Sequence, residues 1–215
     1  MLLSVISLFF SEGLTEIVTS MIVDHDDKNV SSSLTYALIA VIPVGGLLYL
    51  FLIMLIPSIH ILIIAIAGVC LSSLLVIISP TLTFIRVVNI LLSVPINSLV
   101  TFTVMIIILE YSKNLGLWST ALVVSSRSGS SLLKIVIALI NQVMPWRIGI
   151  CIFTLPLIAI IIMLTRHSGI MTAESLTHTN SKVTAPISLM YYTTTLLAFM
   201  TIFVPSVIVE VILMN

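Results

Sequence analysis

The chain has 215 residues, of which 60% are hydrophobic and only 7% charged, with a mean hydropathy of +1.32. Soluble domains carry about 25% charged residues, so water is excluded as the solvent for most of this chain and lipid takes its place. Eight basic residues balance eight acidic ones, and the absence of a basic stripe excludes a nucleic-acid partner as well.

A hydrocarbon core about 30 Å thick needs roughly 20 apolar residues per crossing helix. Runs of that kind fall at 2–23, 34–56, 60–79, 82–110, 118–142, 147–165 and 187–213, separated by polar or Pro/Gly breaks. The expected fold is an all-α membrane protein, a polytopic helical bundle of about seven transmembrane helices. It divides into a six-helix bundle over 1–166, a polar linker over 167–186 and an additional transmembrane helix within 187–215.

The first run reads as a span rather than a cleaved leader, because no basic stretch precedes Leu2 and apolar residues continue through Val23. Glu12 and Glu16 lie one turn apart on it and share a face. Two carboxylates in lipid suit the binding of a cation or a proton; the alternative is a tilted helix that lets both acids reach water. The following loop carries Asn29-Val30-Ser31, a sequon that would set it outside in a secretory-pathway protein. Basic residues assign no orientation, since Lys28, Arg86 and Arg147 on one side balance Lys113, Arg166 and Lys182 on the other.

Pro43, followed by Gly45-Gly46, marks a kink and close packing in the second span, as Pro156 and Pro205 do in the sixth and seventh. Cys70 and Cys151 lie in apolar runs without a CxxC or a Cys/His cluster. They read as small buried hydrophobes, and neither a disulfide framework nor a zinc site is indicated. In the fourth span Asn89, Ser93, Asn97 and Thr101 recur every four residues around Pro95, making a neutral polar face. Such a face fits either a pore lining or hydrogen bonding between helices. Glu110 closes this span at an interfacial position, as Glu210 does the seventh.

The fifth span holds the strongest signal. Arg127, Lys134 and Asn141 are spaced by seven residues, nearly one line on a helix with steps of about 10 Å, and Ser126, Ser130 and Ser131 widen it. An ionisable group inside a membrane costs about 2.5–3.5 kcal/mol on insertion scales and marks a functional site by default. One reading is a cationic strip facing an aqueous pathway or an anionic substrate. The other is a structural pair, neutralised by carboxylates on neighbouring helices or snorkelling to an interface. Trp118, Trp146 and Tyr191-Tyr192, near span ends, read as interfacial belt residues.

No GxxxxGK[ST], HExxH or GxSxG motif occurs, and His25, His60, His167 and His178 are scattered. Nothing builds a site for bond-making chemistry. No enzymatic activity, metal or cofactor is expected.

From Glu110 to about Arg166 the chain resembles half of a major facilitator superfamily transporter, and most closely the organic ion transporter branch. The residues that carry the likeness are Glu110-Tyr111-Ser112-Lys113-Asn114-Leu115-Gly116, where the family has an acidic span end and a Tyr-Pro-Thr-type turn, and Ser125-Ser126-Arg127-Ser128-Gly129-Ser130, where it has Arg-x-Gly-Ser. Pro145-Trp146-Arg147 through Thr154-Leu155-Pro156 is similar to a further helix. The chain departs from the family in lacking the turn's Pro and in carrying Leu55-Ile56-Pro57-Ser58-Ile59-His60 where a basic cytoplasmic motif is found.

The resemblance implies alternating-access transport of a small organic solute, an organic anion before others, by a half-transporter that is truncated or degenerate, with the C-terminal half as the better match. It also implies that Arg127 recognises the substrate anion. The substrate-binding set is then Arg127, Lys134, Asn89, Asn97 and Ser130. The expected partners are the lipid bilayer, the solute and a second half, from a homodimer or another chain. The protein is expected in a membrane, the plasma membrane before others. Two other classes stay open: a serpentine receptor, on the count of seven spans, and a non-transporting scaffold subunit that docks through the linker.

Overall fold

The computed structural model describes residues 1–24, 41, 44–79, 81–112, 114–140 and 145–175. The elements are α1 (Leu2–Asp24), α2 (Val44–Ile53), α3 (Ser58–Ile78), α4 (Leu82–Val88), a π-helical segment Asn89–Ser93, α5 (Val94–Tyr111), α6 (Leu115–Ile140) and α7 (Trp146–Ser175). Among the described residues all regular structure is helical. Five stretches are long and apolar enough to cross a membrane: Leu2–Thr19, Ser58–Ile78, Leu82–Tyr111, Gly116–Leu139 and Trp146–Arg166.

These five agree closely with the apolar runs read from the sequence. Of the second expected span, α2 is described, and it is shorter than a crossing helix. The seventh expected span lies outside the described residues, as does the linker beyond Ser175. Helix α7 passes the end of its apolar window at Arg166 and continues to Ser175, so the polar composition of 167–175 does not end the helix.

Many large apolar side chains point outward, among them Leu47, Phe51, Met54, Leu71, Ile78, Leu91, Leu117 and Leu155, each more than half exposed. Apolar surface on this scale has no place in water and fits a multi-pass protein in lipid. Helices α1 and α3 form the centre. Both pack against α5 and α7, which flank them, and α6 lies along the other side of α1. The core combines Leu8, Leu14, Ile17 and Ile22 of α1 with Ile61, Leu62, Ile66 and Val69 of α3, Ile108 of α5 and Ile150 and Leu157 of α7.

Small residues set the closest approaches. A Cβ on Gly129 of α6 would strike the Phe9 backbone carbonyl of α1, and one on Gly13 would strike Leu133 and come 2.9 Å from the Gly129 carbonyl oxygen. Likewise a Cβ on Gly45 of α2 would meet the Pro95 carbonyl and come 2.6 Å from Cβ of Ser98 on α5. Helices in lipid gain no hydrophobic drive from pairing and depend on this intimacy of packing. At one end of the bundle Arg147 ties two spans together. Its Nη2 donates to the Ser79 carbonyl at 2.9 Å, just past α3, while its guanidinium lies 5.4 Å from the centre of the Trp146 ring.

Both cysteines are free; Cys70 is buried, but Cys151, expected in the interior, is exposed on α7. The reason is helical: Ile150 takes the inward position, and its neighbour is turned about 100° from it.

Candidate functional site

The polar residues of α1 and of the α4–π–α5 span meet along one seam. Glu12, half-buried near the middle of α1, accepts from Asn97 Nδ2 at 2.9 Å on one carboxylate oxygen and from Thr101 Oγ1 at 3.0 Å on the other. Seven residues further along α1, Thr19 Oγ1 accepts from Asn89 Nδ2 at 3.0 Å and donates to the Thr15 carbonyl at 2.9 Å. The seam thus has two rungs about 10 Å apart. Ser11 and Ser93 are also buried, and Thr15 Oγ1 donates to the Ser11 carbonyl at 3.0 Å.

The sequence places these residues simply. A spacing of four along the α4–π–α5 span and of three or four on α1 keeps each polar set on one helix face. Pro95 explains the π segment between the rungs. Proline brings no N–H and crowds the preceding turn, and the chain responds by widening: the N–H of Val94 reaches the carbonyl of Asn89, five residues back. Widened turns of this kind recur at functional sites.

The expected site residues divide. Asn89 and Asn97 are both buried and both bonded across the seam to α1, so the four-residue repeat serves hydrogen bonding between helices. Arg127 is exposed on α6. Ser125 and Gly129, two residues to either side, are buried, and a shift of two residues turns a helix about 200°. Arg127 therefore points away from the face that packs on α1. Its charge is nevertheless close enough to act on Glu12, as is that of Glu16. Lys134 and Ser130 belong to α6, with side chains outside the described set, and Asn141 lies outside the described residues.

Glu12 and Thr101 are absent from the expected binding set, although they hydrogen-bond at the centre of the seam. Both are visible in the sequence, as an acid in an apolar run and as the last member of the four-residue repeat. No local pattern shows that the two faces meet.

A second, smaller cluster sits at the end of the bundle away from Arg147. Ser58 Oγ, at the start of α3, lies 3.3 and 3.5 Å from the two carboxylate oxygens of Glu110 and 3.4 Å from the Tyr49 hydroxyl of α2. It links three helices. Glu110 is exposed there, in keeping with its expected interfacial place.

No family model matches the chain, and neither does any curated protein or solved structure.

Proposed function

We propose that the protein moves a small organic solute, an organic anion before others, across a membrane by alternating access. The observation that carries this reading is the Glu12–Asn97–Thr101 cluster near the middle of two crossing helices, with the Arg127 charge in reach. Ionisable groups at that depth are costly and mark solute or ion pathways. A widened, proline-bearing helix beside them supplies a bend around which a cavity can open and close.

In this mechanism the exposed Arg127 attracts the anionic group of the solute, and the hydroxyls and amides of the seam offer hydrogen bonds. Helix α6 has only 25% of its span buried, against 61% for the α4–π–α5 span. Its open side is where a second half, from another copy or a partner chain, would complete the pathway.

Uptake of radiolabelled benzoate and succinate into proteoliposomes tests the proposal. Arg127→Ala is expected to lower uptake at least about tenfold, the loss that follows removal of one charged contact of about 1.4 kcal/mol, with Arg127→Lys restoring part of it. Uptake unchanged in Arg127→Ala, at equal amounts of inserted protein, would overturn it.

A further inference from the structure

We propose that Glu12 is a proton-binding site at mid-membrane depth, where the Thr101 hydroxyl turns between two acceptors so that the ionised and the neutral carboxyl both keep a hydrogen bond at each oxygen.

Thr101 stands at the branch point. Its Oγ1 lies 3.0 Å from Glu12 Oε1 and 3.1 Å from the Asn97 backbone carbonyl, one turn back on α5. A hydroxyl has one proton to give and two lone pairs to offer, so it donates to one of these acceptors at a time. With Glu12 ionised the proton goes to the carboxylate, since bonds to a charged acceptor are the stronger. The Asn97 carbonyl is not stranded by this, because inside a helix it accepts the N–H four residues on. With Glu12 protonated the order reverses: the new O–H on Oε1 donates to Thr101 Oγ1, and Thr101 donates to the Asn97 carbonyl. Asn97 Nδ2 keeps its bond to Oε2 at 2.9 Å in both forms, because a neutral carboxyl retains an accepting oxygen. Neither form asks a heavy atom to move.

The other rung of the seam shows the reversed order already in place. Thr19 Oγ1 accepts from Asn89 Nδ2 at 3.0 Å and donates to the Thr15 carbonyl, one turn back, at 2.9 Å. Thr101 takes up the same arrangement when Glu12 donates to it. An amide N–H can only donate, so the Asn89 rung has one setting. A carboxyl accepts when ionised and donates when protonated, so the Glu12 rung has two.

Position and surroundings agree. Glu12 lies about 15 Å along α1 from its first residue, half the thickness of a hydrocarbon core, and ionisable groups at that depth mark proton relays and ion pathways. The charged groups in reach of it are Glu16, one turn along α1, and Arg127 on α6; α6 also carries Lys134. The α5 side offers the neutral groups of Asn97 and Thr101. Asp24 ends α1, and His60, Arg86, Glu110, Arg147 and Arg166, on elements packed against α1, lie near the ends of their crossing stretches.

In uptake a hydronium ion gives its proton to Oε1 and leaves as water, and the negative charge of Glu12 is lost; release is the reverse. Resting on the transport reading, one consequence follows. A proton on Glu12 removes a negative charge within reach of Arg127, so the guanidinium attracts the solute anion instead, and anion and proton cross together.

Infrared spectroscopy of the full chain in nanodiscs, with no solute present, tests the site between about pH 4 and pH 10, which brackets the values that glutamates take in proteins. A protonated carboxyl has a C=O stretch distinct from that of a carboxylate. One such band is expected to come and go with pH and to be missing from Glu12→Gln, whose amide offers an acceptor to Asn97 and a donor to Thr101 as the neutral carboxyl does. Thr101→Val is expected to shift the frequency of this band, because the O–H loses its acceptor, and Thr101→Ser to leave it in place. If Glu12→Gln does not fold, Glu12→Asp in protein carrying isotope-labelled glutamate makes the assignment, since the labelled band then disappears. Bands that are the same in the parent and the Glu12 variants overturn the proposal, as does a Glu12 band that pH does not change. So does an unshifted band in Thr101→Val. Coupling is read in proteoliposomes, where an inward gradient of one pH unit, about 1.4 kcal/mol per proton, is expected to support up to about tenfold accumulation of succinate that Glu12→Gln loses. Equal accumulation with and without the gradient overturns the coupling. Titration of Glu12 without any anion uptake breaks only the transport reading, and uptake with no titrating Glu12 breaks only this one.

Discussion

The two sides of α1 hold their neighbours by opposite means. Toward α6 the contact is bare backbone: Gly13 and Gly129 let the helices approach until no Cβ fits between them. Toward α5 the contact is polar, with Glu12 on Asn97 and Thr101 and with Thr19 on Asn89. Lipid permits both solutions, but their energetics differ. Close packing gains dispersion over many atoms and leaves nothing unmet. A polar seam gains less per bond, because the separated helices find other partners, and it keeps a carboxylate in a medium that disfavours charge. The glycine crossing therefore reads as the structural joint, and the polar seam as the element on which the proposed function draws.

The largest expected effect breaks the joint. Gly129→Ala sets a methyl group against the Phe9 backbone, which has no flexible end to yield, and is expected to destabilise the protein by about 1–3 kcal/mol. Thermal unfolding of the purified protein in detergent measures it, and a neutral result would show that α6 is free to shift off α1.

A smaller effect is expected at the seam. Asn89→Leu removes the rung to Thr19 while filling the space, and should cost only about 0.6 kcal/mol, the mean for interhelical bonds in a membrane. The same variant is expected to alter the seam's function more than its stability, so unfolding and uptake measured together sharpen the contrast with Gly129. A loss as large as that of Gly129→Ala would make the seam a joint too.

The smallest effect is a control on α6 itself. Gly116 has open space where a Cβ would go, and as the second residue of α6 it stands to gain less than the roughly 0.5–1 kcal/mol by which Ala exceeds Gly inside a helix. Gly116→Ala is expected to raise the unfolding temperature slightly, whereas any loss would show that its surroundings are occupied in the membrane.

The positions of five of the seven expected spans were legible in the sequence because a crossing helix declares itself by length and hydropathy alone, as 58–78 and 146–166 illustrate. Legible too was the alignment of Asn89, Ser93, Asn97 and Thr101 on one face, since that follows from 3.6 residues per turn. Their partner was not, because both a pore and a neighbouring helix accept a polar face.

For Arg127 the sequence set its place on α6 but not the direction it takes. The direction follows from Gly129, which presses the opposite side of α6 onto Phe9. Composition and periodicity thus determined the solvent, the helices and which residues share a face. Only the tertiary structure decided which faces meet, because in lipid that choice depends on where backbones can approach and where the half-buried Glu12 finds donors. Those are relations between residues as far apart as Glu12 and Asn97.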